Sequence, residues 1–230
     1  VRAVPPVRPS TFRLNAELRS RVDLYLFDFD KTLYAYDMMR RLPALSRITG
    51  ASQYHLAKSW WAAGYEARAE MGAWRTASEY LEKFAEVTGY TLSLSQWCDA
   101  RHEASTAIPG SVDALRRAST LGTVSLFSNN PSPFADALDT LAPDVAAIVG
   151  ENRLISCQLG VRKPDPEASR RALAHFDTDP ENALFVDDSL ENIKCAATLG
   201  MHVHHFVTVD GVPQIDALND AIDRFAGRSR

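Results

Sequence analysis

Three short apolar runs, Val22-Asp23-Leu24-Tyr25-Leu26-Phe27, Thr123-Val124-Ser125-Leu126-Phe127 and Ala183-Leu184-Phe185-Val186, each break off directly into a polar cluster. Such runs read as buried strands, and helical sequence between them makes the sheet parallel with helices on both faces. The clusters that follow are Asp28-Phe29-Asp30, Ser128-Asn129-Asn130 and Asp187-Asp188-Ser189. In an open parallel sheet the carboxyl ends of the strands form the ligand crevice, so the three clusters are expected at one locus.

The rest of the chain fills in that frame. After Ile108-Pro109-Gly110, Ser111 reads as the N-cap of a helix over Val112 to Leu121 and Gly122 as its stop. A helix over 133–141, a strand at 145–149, a helix from Pro166 to His175, a helix from Leu190 to Leu199 and a strand at 202–207 complete the alternation. Between Tyr36 and Thr106 the spacing changes to three and four, predicting helices at 37–47, 52–70, 73–88 and 95–105, punctuated by Gly50, Gly72 and Gly89. The expected fold is α/β: a doubly wound parallel sheet from 21–36 and 107–230, with an inserted helical domain at 37–106. Residues 1–20, with Pro5, Pro6 and Pro9, read as an extended arm.

Paired acids at two strand ends can hold a hard cation against a phosphate. Lys163, in Arg162-Lys163-Pro164-Asp165-Pro166, adds a positive charge just before a proline-started helix, and Ser128 offers a hydroxyl beside free loop amides. In order and context these segments resemble the four motifs of the haloacid dehalogenase-like (HAD) hydrolase superfamily, here DFDKT, SNN, the Lys of RKPDP, and DDS. The resemblance spans nearly all of residues 22–207. It implies a Rossmann-like core, with the insert between the first two motifs serving as a type-one cap over the active site.

The resemblance also implies roles. Asp28 is the nucleophile, forming an aspartyl-phosphate. Asp30 protonates the leaving oxygen and then activates water. Dehalogenases of the superfamily lack an acid there, so Asp30 points to phosphoryl transfer. Mg²⁺ is held by Asp28, the backbone carbonyl of Asp30 and one acid of the DDS motif, either Asp188 directly with Asp187 through water, the order the resemblance favours, or the two exchanged. Lys163 bridges nucleophile and phosphate, and Ser128 with the amides of Asn129 and Asp30 completes the phosphate cradle. The strings FDFDKTLY, SNN and VDDSLENIKCAATLGM are similar to pyrimidine 5′-nucleotidase-like phosphatases, although Lys31 stands where those proteins often have Asn. The implied function is a Mg²⁺-dependent phosphomonoesterase acting on a small phosphorylated metabolite such as a nucleoside 5′-monophosphate. A sugar-phosphate mutase and a non-catalytic phosphometabolite-binding protein are the alternatives.

Other residues carry plainer expectations. His202, His204 and His205 resemble a metal cluster, but strand alternation sends His205 to the opposite face from the other two. Asp37 and Asp165 read as local caps, and Asn192 as a residue that fixes the DDS loop. The four tryptophans, Trp60, Trp61, Trp74 and Trp97, all lie in the insert, where they read first as core and second as a stacking surface for a base. Lys58, Arg68, Arg75 and His55 are candidate polar contacts of the insert. A net charge of -4 gives no footprint for a nucleic acid polymer. No apolar stretch approaches the roughly 18 to 20 residues that span a bilayer, and no signal-peptide core precedes the first strand. Cys98, Cys157 and Cys195 lack metal-ligand spacing and suit a reducing compartment. The expectation is a cytoplasmic monomer or homodimer whose partner is a small-molecule phosphate ester.

Overall fold

The computed structural model describes residues 23–229, so the expected arm at 1–20 lies outside the described residues. The first strand, β1 (Leu24–Phe27), is buried on both faces: Tyr25 and Phe27 enter one apolar cluster, Leu24 and Leu26 another. That split follows from the two-residue side-chain period of a strand. A short β2 (Tyr34–Tyr36) leads into α1 (Met38–Thr49), α2 (Gln53–Leu56), a π-helical segment at Ala57–Ala62, α3 (Tyr65–Glu70), α4 (Ala77–Thr88) and α5 (Leu94–Ala104). The chain returns through β3 (Ser105–Ala107), antiparallel to β2. It continues as α6 (Pro109–Ala118), β4 (Thr123–Ser128), α7 (Ser132–Leu141), α8 (Pro143–Val149), β5 (Arg153–Ile155), α9 (Ser156–Leu159) and α10 (Pro166–His175). The last part is β6 (Ala183–Asp187), α11 (Leu190–Thr198), β7 (His202–His205), a hairpin of β8 (Thr208–Val209) and β9 (Val212–Pro213), and α12 (Ile215–Ala226).

The five main strands are all parallel in the order β5-β4-β1-β6-β7. The winding reverses at β1, which lies between β4 and β6. A doubly wound sheet places its ligand crevice at that switch point, above the carboxyl ends of these three strands. Among the described residues no helix is long and apolar enough to cross a membrane.

The expected strand at 145–149 is a helix, α8, and the strand falls later, at Arg153–Ile155. A five-residue apolar run has no readable period, and here Pro143 starts a helix that buries Val145, Ala146 and Val149. Ser111 is not an N-cap. The helix starts at Pro109, and the Ser111 hydroxyl, inside it, donates to the Thr32 carbonyl at 2.6 Å. Gly122 lies beyond the end of α6, where a Cβ would meet the Asp23 carbonyl oxygen at 2.3 Å, so the residue permits close backbone packing rather than stopping the helix. The expected helix at 52–70 is divided by the π-helical segment and Gly64. Asp37 and Asp165 do cap helices, accepting from the N–H groups of Met39 and Glu167. Capping boxes at Thr76 and Ser93 set the starts of α4 and α5.

The aromatic residues of the insert are mainly its own core. Trp60 is fully buried against Tyr65, Trp74, Tyr80 and Phe84, with its indole N–H on Glu66, and Trp97 is buried beneath the Arg41 guanidinium. Base stacking by Trp60 is therefore excluded. Trp61 and Trp74 are half-buried against the same cluster. The insert also docks on the sheet's own helices. Ser132 donates to the Trp74 carbonyl at 3.0 Å, Asp136 accepts from the Ala77 N–H at 3.2 Å, and a Cβ on Gly72 would meet the Cys157 carbonyl oxygen at 2.4 Å.

Candidate active site

Asp28 follows β1, and its N–H donates to the Val186 carbonyl at 2.9 Å, extending the pairing with β6 and holding the side chain over the switch point. Asp187 ends β6, and Ser128 ends β4. The loop carrying Lys163 enters between them. Its ammonium donates to Asp28 Oδ1 at 2.8 Å, Asp187 Oδ2 at 2.6 Å and the Phe127 carbonyl at 2.5 Å. The rings of Phe127 and Phe185, 5.3 Å apart, each lie 5.0 Å from Nζ. Burial works against this charge, but the carboxylates of Asp28 and Asp187 outweigh it and hold the ammonium above its ordinary pKa.

The acids are crowded. Ligand oxygens of Asp28, Asp187 and Asp188 lie within 4.8 Å of one another. Burial pushes the Asp28 carboxyl up to about 7, with Lys163 opposing and Asp187 adding to the rise. Burial and the Asp187 charge also raise Asp188. Three hard oxygen donors with more negative charge than one ammonium neutralises form a set that fits a small hard dication.

Asp187 and Asp188 are held differently. Asp187 is fully buried: Oδ1 accepts from the Ser189 N–H at 2.7 Å, and both oxygens accept from Asn192 Nδ2 at 3.0 Å, in addition to the Lys163 bond. Asn192 thus fixes this loop. The Asp188 side chain is half-buried, while its carbonyl oxygen lies 2.9 Å from His205 Nε2. His202 instead meets Arg228 and the Phe225 ring, so His202 and His205 serve separate local contacts, and His204 Nε2 is buried without a hydrogen-bond partner among the described residues.

Asn129 and Ser128 flank the crevice with distinct partners. The Asn129 side chain brackets the backbone of Lys163, donating to its carbonyl at 2.9 Å and accepting from its N–H at 3.0 Å. Asn129 therefore sets the position of the Lys163 loop. Ser128 Oγ accepts from Asn130 Nδ2 at 3.1 Å, and the same amide donates to Asp30 Oδ2 at 3.1 Å.

Asp30 has a partner that sequence reasoning missed. Arg101, near the end of α5 in the insert, places Nη2 at 2.5 Å and 2.6 Å from the two Asp30 oxygens and 3.4 Å from Asn130 Oδ1. The Arg101 side chain is only 7% exposed, and its guanidinium lies 4.3 Å from the Tyr36 ring and 5.4 Å from the Phe134 ring. Burial opposes its charge, yet Asp30 and Tyr36 more than compensate and keep it protonated. A second pair, Glu70 with Arg162 at 3.0 Å, joins the insert to the Lys163 loop. Burial raises the Glu70 carboxyl to about 7, with Arg162 opposing. The insert residues Lys58, Arg68, Arg75 and His55 are exposed, and the partners of three of them lie within the insert: Lys58 over Tyr54, Arg68 over Tyr65 and Trp74, His55 on the Thr88 carbonyl.

Residues 22–200 match the haloacid dehalogenase-like hydrolase family. A 46-residue stretch is 44% identical to flavin mononucleotide hydrolase 1 of Arabidopsis thaliana, covering 20% of this chain and 19% of that protein. The chain thus aligns with about a fifth of that relative. Among solved structures, the HAD family enzyme BT-2542 of Bacteroides thetaiotaomicron superposes with a TM-score of 0.69 at 20% identity, over 81% of this chain and 94% of the other. A complex of that enzyme with magnesium and inorganic phosphate superposes with a TM-score of 0.67 at 21% identity, over the same shares. At this identity the likeness establishes the fold.

Proposed function

The chain belongs to the haloacid dehalogenase-like hydrolase family, and from that premise we propose that it is a Mg²⁺-dependent phosphomonoesterase working through an aspartyl-phosphate on Asp28. The observation that carries this reading is the arrangement of charges at the switch point: Asp28, Asp187 and Asp188 around one buried ammonium, with the second acid of the DFDKT segment two residues from the nucleophile. The substrate class is a small phosphorylated metabolite, with a nucleoside 5′-monophosphate as one member.

In this reading an Asp28 oxygen attacks phosphorus, the bond from phosphorus to the leaving oxygen breaks, and Asp30 gives its proton to that oxygen. Asp30 then takes a proton from water as the water oxygen attacks phosphorus, and the bond to Asp28 breaks to release inorganic phosphate. Asp28 and Asp188 would hold Mg²⁺, with Asp187 in the surrounding shell, where its oxygens already accept from Lys163, Asn192 and Ser189. Bound Mg²⁺ supplies the positive charge that offsets repulsion between phosphate and carboxylates. Lys163 orients the nucleophile, and Ser128 with the loop amides of Asn129 and Asp30 receives the phosphate oxygens.

Activity against a panel of phosphorylated metabolites should vanish with chelator and return with Mg²⁺. The Asp188→Ala variant should keep its melting temperature and need about 10-fold to 100-fold more Mg²⁺ for half-maximal rate. Asp187→Ala should instead lower the melting temperature, because it strips three donors of their acceptor. No phosphate release from any panel member with Mg²⁺ present would reject the reading.

Arg101 has a place in it too. Both Asp30 oxygens accept from Arg101, so the guanidinium stands beside the acid that serves the leaving oxygen. A phosphate dianion bound there would compete with Asp30 for the same N–H groups. Charge-assisted hydrogen bonds contribute about 1.5–3 kcal/mol, so Arg101→Ala should lower kcat/KM by roughly 10-fold to 100-fold, mainly through KM. Arg101→Lys should recover part of the loss in steady-state assays. An unchanged KM in Arg101→Ala would mean that the pair only ties the insert to the sheet.

A further inference from the structure

A cavity of about 450 Å³ opens beside Asp188. Its walls come from β2, through Ala35 and Tyr36, from Ile108 directly after β3, and from the chain that follows β7, through Phe206, Val207 and Thr208. Exposed Lys31 also lines it, and no tryptophan does. Three observations give this space a role in the reaction. Asp188 belongs both to the cavity wall and to the acidic cluster, so a phosphate held at that cluster has the cavity directly next to it. On the insert side Arg101 packs against Asp30, the Tyr36 ring and the Phe134 ring, and Trp60 and Trp97 are buried in the insert's core, away from the cavity wall. Lys31 is held at φ 61°, a conformation that side chains rarely adopt, by its N–H bond to the Tyr34 carbonyl at 2.6 Å.

The cavity is also chemically two-sided. Tyr36, Ile108, Phe206 and Val207 are apolar or aromatic, whereas Lys31 brings a cation that makes no ion pair among the described residues. Ligand pockets run from about 300 to 1,000 Å³, so this one has room for a body of one or two rings.

We propose that this cavity receives the leaving group of the phosphoester and selects alcohols with a one-ring or two-ring aromatic body carrying an acceptor or anionic substituent that Lys31 meets. The proposal rests on the phosphomonoesterase reading and moves specificity from the insert's tryptophans to the strands that frame it and the segment after β7. The test uses acetyl phosphate, phenyl phosphate, 4-carboxyphenyl phosphate and 1-naphthyl phosphate as substrates, and 1-naphthylmethylphosphonate as a ligand that cannot turn over. Ala35→Trp, and separately Val207→Trp from the opposite wall, should lower kcat/KM for 1-naphthyl phosphate at least 10-fold relative to acetyl phosphate. Both should weaken binding of the phosphonate to a similar degree by titration with Mg²⁺ present. Lys31→Ala should remove the preference for 4-carboxyphenyl over phenyl phosphate. Unchanged ratios and unchanged phosphonate binding in both tryptophan variants would overturn the cavity assignment. Failure of the unmodified protein to hydrolyse any of the esters, with cavity-dependent phosphonate binding intact, would instead reject the phosphatase reading and leave the binding site standing.

Discussion

Asp28→Asn is expected to reduce turnover by at least about 10⁴-fold, the scale on which removing a covalent nucleophile acts. The amide keeps the shape and still offers an oxygen to the Lys163 ammonium, now 2.8 Å from Asp28 Oδ1, but it cannot attack phosphorus. The fold should survive the change and even gain from it. Asp28 titrates near 7 in the folded protein against an ordinary value near 3.8, so its contribution to stability is full below the lower value and is lost as pH rises through the upper one. Asn carries no charge at any pH. In chelator, the variant should therefore melt at or above the parent at pH 8 and show no such advantage at pH 4. Asp30→Asn should behave differently: an ester with a good leaving group should still phosphorylate Asp28, and the intermediate should then accumulate because no base activates water. Near-normal steady-state turnover in Asp28→Asn would reject the covalent route outright.

The contrast between these two acids shows which parts of the site can be read from sequence. Asp28, Ser128 and Asp187 are fixed by the strands that end at them, and strand ends at a switch point converge whatever the loops do. Lys163 was readable for a related reason, since it lies between two such strands in chain order. Arg101 has no comparable mark. It is one arginine on a helix otherwise like its neighbours, its partner Asp30 is 71 positions away, and exposed Arg68 and Arg75 looked equally eligible from spacing alone. Only the docking of α5 on α7, with Arg101 next to Phe134, separates it from them. The same limit applies to the apolar run at 145–149. Its composition suits a strand or a short buried helix, and what decides is the packing of Val145, Ala146 and Val149 in the larger apolar cluster.

Lys163 is where stability and chemistry meet. Its ammonium is 3% exposed and supplies the only cation bonded to either Asp28 or Asp187 among the described residues. Lys163→Met keeps most of the volume and leaves two buried carboxylates facing each other without a counter-charge. Breaking a buried pair by removing one partner costs about 3–5 kcal/mol, and here one cation serves two acids. For a chain of this size each kcal/mol shifts the melting temperature by about 2–4 °C, so a fall of roughly 6–20 °C is expected in chelator at pH 8. The sign with pH is set by the acids. Without the ammonium the Asp28 carboxyl, already raised by burial, rises further, so the penalty is small where Asp28 is protonated and grows as pH climbs through its value. Mg²⁺ should return part of the lost stability by neutralising the same carboxylates, which makes the metal-induced rise in melting temperature larger for Lys163→Met than for the parent. Turnover should stay about 10²-fold to 10³-fold low even at saturating Mg²⁺, the range seen when one fixed electrostatic donor is removed. Lys163→Arg should not rescue either property, because no single guanidinium nitrogen carries the three N–H groups with which Nζ meets three oxygens at once. A variant that melts like the parent in chelator would show that the ammonium offsets no buried negative charge, and the proposed charge arrangement of the site would fall with it.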